Sequence, residues 1–432
     1  MEVLQGLPAW KTVVQNILSA VRPGTLPGGR RISGPKWQFP NGHIIDKFVS
    51  GRANVITTPE NLRAFYLDGE KHGKHSNLGC FLDQILGRCI GFLEGDGWKQ
   101  KRQIFYPPFS YDATANRIGA TEGSARKFVD ELPSLHPKAA QDDDGKKRVS
   151  FDIINGFRKF PLYLTASVLY GAMTDTEKAD LWALAEKRLA LWPYAVIGGP
   201  YRFSWGHWID RTGFDLLKDF SSEWRKYNER LVLARRARGI KTPLTLFWDS
   251  YEAGEVTLEN VMHSLDEILM TNLDVTAHAI TWIITLIAEH KQAQQELRDE
   301  VDAHWNSLHE YLSESDTLLH RVFMETLRRS HLQTMVLVDV FAINVRNPFW
   351  GSDSEEFRPS RFQNMKPTDL RYNLIIFGFV GRKCPGQYMA VQGTKALLEH
   401  EGGNSQTKTE TQVIPMADVV IQLTSRDMAL PL

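Results

Sequence analysis

Between Glu255 and Asn347 the chain runs for 93 residues without a glycine or a proline. Those two residues are the usual means of stopping a helix, so a stretch lacking both is most simply accommodated as long helices. The spacing predicts one helix from near Thr257 to about His290, roughly 50 Å at 1.5 Å per residue. Its second half, ITWIITLIA, is apolar nearly all round and is expected to be buried.

Helical spacing recurs upstream in VSFDIINGFRKFPLYLTASVLYGA and DLWALAEKRLALW, and downstream in QYMAVQGTKALLEH. Thr57 or Thr58 with Pro59 and Glu60 offers a helix start for ENLRAFYLDG. Strand signals are fewer: Asn54 to Thr57, MVLVDVFAINV and ADVVIQLT, the last two rich in β-branched residues. Two polar stretches, residues 133–148 and 401–412, read as exposed loops. The expected fold class is therefore mainly α with a minor β region.

At the N-terminus Trp10, Val13, Val14, Ile17, Leu18 and Val21 form an apolar stripe at helical spacing, suited to a membrane surface or to the protein body. From Arg22 to Gly42 the chain is rich in Pro, Gly and basic residues. Residues 1–42 thus read as a lead-in to a folded body at 43–432. The longest apolar run, Ala279 to Ala288, is half of what a bilayer requires, so no transmembrane anchor is expected.

Lys and Arg number 51 and Asp and Glu 51, for a net charge of zero. Without surplus cations the chain is not expected to bind nucleic acid through a global positive field. Cys80, Cys89 and Cys384 form an odd set over a long chain, the usage of a reducing compartment. The 46 Trp, Phe and Tyr side chains can fill a core or line a large flat ligand. His72 and His75, with Lys71 and Lys74, read as a solvated basic loop.

One cysteine stands apart. Phe377-Gly-Phe-Val-Gly-Arg-Lys-Cys384-Pro-Gly386 sets it in a Gly-rich, cationic loop just ahead of a predicted helix, where backbone N–H groups and the helix dipole favour a thiolate. Read from its residues alone, Cys384 is a ligand, a nucleophile or a cysteine in an ordinary turn. Phe377, Arg382, Cys384 and Gly386 match the signature FxxGxRxCxG, by which the chain resembles the cytochrome P-450 family. Val380 stands where that signature has Gly, with Gly381 displaced by one.

Four further segments follow the family's order. Trp98-Lys-Gln-Lys-Arg102 resembles WxxxR, whose side chains contact haem propionates in the family. Glu325-Thr-Leu-Arg328 resembles ExxR, and Phe357-Arg-Pro359-Ser-Arg361-Phe362 resembles the PERF segment, whose Arg is expected to close a triad with Glu325 and Arg328. Thr271-Asn-Leu-Asp274-Val275-Thr276 lies at the place of AGxDTT. There Asp274 aligns with the acid, Val275 occupies the alcohol's position, and Thr276 comes one residue, about 100°, further round a helix.

The resemblance implies a shortened P-450 fold with haem b bound through Cys384 and contacted by Trp98, Arg102, Phe377, Arg382 and Gly386. Asp274 and Thr276 are then the expected catalytic residues, handling protons for O2. Either a local helix distortion brings Thr276 in, or substrate and water do the hydrogen bonding, or the reaction tolerates looser proton delivery. The implied function is a haem-thiolate monooxygenase oxidising an apolar small molecule, most similar to filamentous-fungal members of secondary metabolism. Electrons would come from NADPH through a separate NADPH–cytochrome P-450 reductase, with Lys99, Lys101 and Lys383 as a docking patch. The implied location is the cytosolic face of the endoplasmic reticulum membrane, with peripheral membrane contact. Segments near Ala53, after Arg328 and after Cys384 are short for the family, as in a member with internal deletions. The alternative is therefore a haem-binding protein that is catalytically defective or regulatory.

Overall fold

The computed structural model describes residues 46–48, 51–53, 58–67, 79–135, 140–143, 146–197, 199–273, 275–329, 340–379, 382–399, 403–408 and 418–424. The main helices are α1 (Pro59–Leu67), α2 (Cys80–Leu86), α3 (Gly95–Phe105), α4 (Ile118–Leu135), α5 (Lys159–Tyr170), α6 (Asp175–Ile197) and α7 (Thr212–Ala237). They continue with α8 (Pro243–Glu252), α9 (Leu258–Met270), α10 (Val275–Glu289), α11 (Lys291–Ala303), α12 (Leu318–Arg329) and α13 (Gln387–Glu399). Strands β1 (Asp46–Phe48) and β2 (Gly51–Ala53) pair with each other. Strands β3 (Ala140–Asp143), β4 (Lys146–Asp152), β5 (Gly403–Lys408) and β6 (Asp418–Thr424) form an antiparallel sheet of order β3-β4-β6-β5. The mainly helical class expected from the sequence is what is found.

The described residues group into two compact units: one up to Phe105 and from Ser167 to Met270, the other from Tyr106 to Ala166, Thr271 to Arg329 and Val340 onward. In the first, the Phe81 ring lies 5.4 Å from Tyr201 and 5.5 Å from Phe214. Arg188 Nε donates to both oxygens of Asp266 at 3.0 Å, and both side chains are buried. Burial pushes the Asp266 carboxyl up, against the pull of Arg188. Helix α8 starts as its sequence dictates: Pro243 sits at the first helical position, and the Thr242 and Thr245 hydroxyls accept each other's backbone N–H. Loop residues Arg88, Ile90 and Gly91 donate backbone N–H groups to His263, Ser264 and Glu267 of α9.

In the second unit α10 is buried from Ala277 to Ala288 except Trp282, as its all-round apolar sequence requires. Ile283 and Ile287 share one core with Phe128, Phe160, Phe323 and Leu397. Helix α13 docks on α4, where the Thr121 hydroxyl donates to Gln392 Oε1 at 3.0 Å.

Several expectations are corrected. The long helix from Thr257 to His290 is interrupted: α9 ends at Met270, a 3₁₀ turn occupies Thr271–Leu273, and α10 begins at Val275. Thr and Asn side chains compete with the helical ladder for hydrogen bonds, and Asn272 here bonds two threonines. The stretches read as loops contribute β3, part of β4 and β5, the rest of β4 comes from VSFD, read as the start of a helix, and ADVVIQLT forms β6 as expected. Within MVLVDVFAINV, Ala342–Arg346 is a π-helical turn rather than a strand. Thr58 caps α1 through Asn61 N–H at 3.3 Å, as expected. The lead-in at 1–42, with its apolar stripe, and the strand at Asn54 to Thr57 lie outside the described residues. So do His72 and His75.

Candidate active site

The Cys384 loop is shaped by its own backbone. Cys384 N–H donates to the Phe377 carbonyl at 2.8 Å, and Arg382 N–H donates to that of Phe379 at 3.1 Å. Gly378 takes a φ of 73°, a left-handed conformation that side chains disfavour. Cys384 is exposed three residues before α13 begins, with its carbonyl accepting from Gln387 N–H. A Cβ built at Gly386 would lie 3.9 Å from Cys384 Sγ, so the bare glycine leaves one side of the sulfur open. Phe377 packs on the core and stacks on Phe323 of α12, ring centres 6.4 Å apart. Val380 and Gly381 lie outside the described residues.

Helix α12 carries the buried charges behind this loop. Arg328 grips both Glu325 oxygens at 2.8 Å, one turn apart on the helix, and neither side chain is exposed. Its remaining donors reach the carbonyls of Asn344 (2.9 Å) and Ser354 (2.7 Å). Arg361 completes the expected triad with Nε at 3.6 Å from Glu325 Oε1, while its Nη1 binds the Trp350 carbonyl and Asp353. The Arg361 bond holds the Asp353 carboxyl below the usual carboxylate range. Asn344 belongs to the same assembly, though nothing singled it out beforehand. It is fully buried, accepts from Ile375 N–H at 2.8 Å and donates to the Ile375 carbonyl at 2.9 Å. A polar residue within the apolar run FAINV was the available signal.

Thr276 lies in the first turn of α10. Its hydroxyl donates to Asn272 Oδ1 at 2.7 Å, and Asn272 Nδ2 donates to Thr165 Oγ1 at 3.0 Å. Val275, at the alcohol's position, is half exposed, and Asp274 lies outside the described residues. Asn272 and Thr165 were not foreseen, although an Asn where the family pattern has Gly was visible in the sequence. On α3, Trp98 and Arg102 stand four residues apart with the guanidinium 5.2 Å from the indole centre. The structure thus brings Phe377, Arg382, Cys384 and Gly386 into one loop, pairs Trp98 with Arg102, and joins Thr276 to Asn272 and Thr165.

This donor set fits a haem. A single sulfur is presented from a loop tip beside a position without a side chain, with a half-buried arginine two residues earlier. No cluster of His, Cys, Asp or Glu able to hold a metal ion by itself occurs among the described residues.

Comparison with known proteins agrees. The sequence profile described as cytochrome P450 matches residues 42–335. The chain is 30% identical over 410 residues to the cytochrome P450 monooxygenase sirC of Leptosphaeria maculans, covering 90% of this chain and 84% of the relative. It is 29% identical over 453 residues to the cytochrome P450 monooxygenase hasH of Aspergillus fumigatus, covering 90% and 82%. Among solved structures, a zebra fish cytochrome P450 in a structure with progesterone superposes with a TM-score of 0.66 at 16% identity, over 86% of this chain and 93% of that one. The chain belongs to the cytochrome P450 family.

Proposed function

We propose that this monooxygenase binds haem b through the Cys384 thiolate and uses O2 to oxidise an apolar small molecule in fungal secondary metabolism. The observation that carries this is the exposed sulfur ahead of α13, in a loop closed by its own N–H and flanked by the bare Gly386. When bound, such a haem would supply an iron that the Cys384 thiolate makes electron-rich, favouring O–O cleavage. Cys384 provides that thiolate, Phe377 fixes the loop through its carbonyl and ring, and Gly386 leaves the sulfur uncrowded. Arg382, Trp98 and Arg102 hold the propionates by charge and hydrogen bonding. Asp274 and Thr276 hold the water that brings protons to the oxygen side.

Electrons come from NADPH through a separate reductase that docks on Lys99, Lys101 and Lys383; Lys99 and Lys383 are exposed. No helix among the described residues is long and apolar enough to cross a membrane. Peripheral contact at the cytosolic face of the endoplasmic reticulum is supported by Trp208 and Ile209, 80% and 59% exposed. Residues 1–42 are the lead-in and 43–432 the haem domain. The carbon monoxide adduct of the reduced, haem-loaded protein should show the red-shifted Soret band of thiolate ligation, and Cys384→Ser should abolish it. A band unchanged in the variant would refute the assignment. Reductase-dependent NADPH consumption that rises with substrate separates an active enzyme from a defective haem-binding protein.

A further inference from the structure

A crevice of about 10 Å³ lies beside the start of α10, lined by Thr165, Asn272, Thr276, Leu164, Gly393 and Thr394. That is about the room one water molecule needs, and such a site fills when it offers two or more polar partners. Thr394 on α13 is 1% exposed and its hydroxyl makes no hydrogen bond among the described residues. Its oxygen thus carries an unmet hydrogen-bonding capacity at the wall of a cavity of water's size.

The wall formed by Thr165, Asn272 and Thr276 is polarised in one direction. The Thr165 hydroxyl donates to the Pro161 carbonyl at 2.8 Å, and a carbonyl can only accept. Thr165 must therefore accept from the Asn272 amide, which turns Nδ2 toward Thr165 and Oδ1 toward Thr276. Thr276 in turn has no choice but to donate to Oδ1. Its proton is committed to Asn272, and its lone pairs are what it offers to anything else.

From this geometry we propose that Asn272 is a positioning residue that fixes the Thr276 hydroxyl as a hydrogen-bond acceptor, and that the crevice behind the pair holds one ordered water bridging it to Thr394. The role assigned to Thr276 rests on the haem-thiolate reading above. The water site does not. With Val275 where the family pattern places its alcohol, the amide at 272 holds in place the hydroxyl one residue further on.

Two experiments test this. Thr394→Val is isosteric. If a water bridges Thr394, the valine removes a satisfied hydrogen bond and the melting temperature falls by about 1–3 °C. If the crevice is dry, the valine removes an unsatisfied hydroxyl and the melting temperature rises, which overturns the water site. Thr326, also fully buried with a hydroxyl that has no partner among the described residues but not on the crevice, is the control: Thr326→Val should leave stability unchanged or higher.

In the haem-loaded enzyme with reductase, the share of NADPH electrons recovered as hydrogen peroxide should rise on the order of threefold in both Asn272→Ala and Thr276→Ala. It should stay near the parent value in Thr276→Ser and rise no further in the double alanine variant. Additive effects, or an Asn272→Ala variant that behaves like the parent, would overturn the positioning role. A parent protein that takes up no haem would instead refute the functional reading and leave the stability comparison to decide the water site.

Discussion

Glu325→Gln should be among the most damaging single-atom changes in the protein. Glu325 Oε2 accepts from Arg328 Nε, while Oε1 accepts from Arg328 Nη2 at 2.8 Å and from Arg358 N–H at 3.1 Å. An amide supplies one oxygen where two are needed. Turned its best way, it satisfies Nη2 and the backbone N–H and sets its own NH2 against Arg328 Nε–H. With Glu325 at 0% and Arg328 at 1% exposure, no water can relieve that contact. Removing one partner of a buried pair costs about 3–5 kcal/mol. An unfolding entropy near 0.9 kcal/mol per kelvin for 432 residues makes this a melting-temperature fall of about 3–6 °C, read by circular dichroism at fixed pH. Replacing both partners, as in Glu325→Leu with Arg328→Met, often proves neutral for a buried pair. Here it should remain destabilising by about 2–4 kcal/mol, because the carbonyls of Asn344 and Ser354 lose the donors that Arg328 provides. A fall below 1 °C for Glu325→Gln, or a double variant as stable as the parent, would refute the reasoning.

Other perturbations probe the neighbourhood. Gly378→Ala should cost about 1–2 kcal/mol in denaturant unfolding, all of it conformational: the added Cβ would lie 3.5 Å from the Arg382 carbonyl, without a clash, but at a φ of 73°. Asn344→Ala strips both hydrogen bonds from Ile375 and should speed haem transfer from the loaded protein to apomyoglobin; an unchanged rate would detach Asn344 from the sulfur loop. Burial, with Lys395 and Arg321 nearby, pushes His320 down to about 4. Between that value and the ordinary 6.5 the unfolded chain binds more protons, so this contribution to stability rises with pH and is lost on acidification, by at most about 3 kcal/mol. His320→Phe should therefore lose less melting temperature than the parent between pH 7 and pH 4.5, and equal losses would contradict the buried neutral ring.

Where the fold was legible, one physical signal dominated. The all-round apolar ITWIITLIA had to be interior, and α10 is. Strand β6 was legible for a related reason: in the order β3-β4-β6-β5 it is central and its sequence DVVIQLT is rich in β-branched residues. Of the strands that were missed, β3 and β5 are the edges of that sheet, while β4, central beside β6, falls partly in a stretch read as a loop and partly in one read as a helix. An edge strand needs only one partner, and polar residues such as those of AQDD and GNSQTK suit its open side. Their strand character comes from pairing with β4 and β6, which no local pattern announces.

The π-helical turn at Ala342–Arg346 was misread for the opposite reason. Its β-branched sequence suits a strand, but side chains rather than a neighbouring strand satisfy the backbone here. Arg328 takes the Asn344 carbonyl, and the Asn344 amide clasps both backbone groups of Ile375. Two residues on, Phe377 lends its carbonyl to Cys384 and its ring to Phe323. Helix α12 therefore grips the approach to the sulfur twice, once by polar contacts through Arg328 and Asn344 and once by aromatic packing through Phe323 and Phe377. The motif residues at either end of this linkage were readable as chemistry: a carboxylate and a guanidinium one turn apart, and a cysteine among glycines. What joins them was not, because the Asn in FAINV signals a polar role without naming its partner, and Phe323 is an ordinary core residue until the chain has set it face to face with Phe377. Side chains that do chemistry are chosen for their atoms and can be recognised from sequence, whereas those that aim them are chosen for their place.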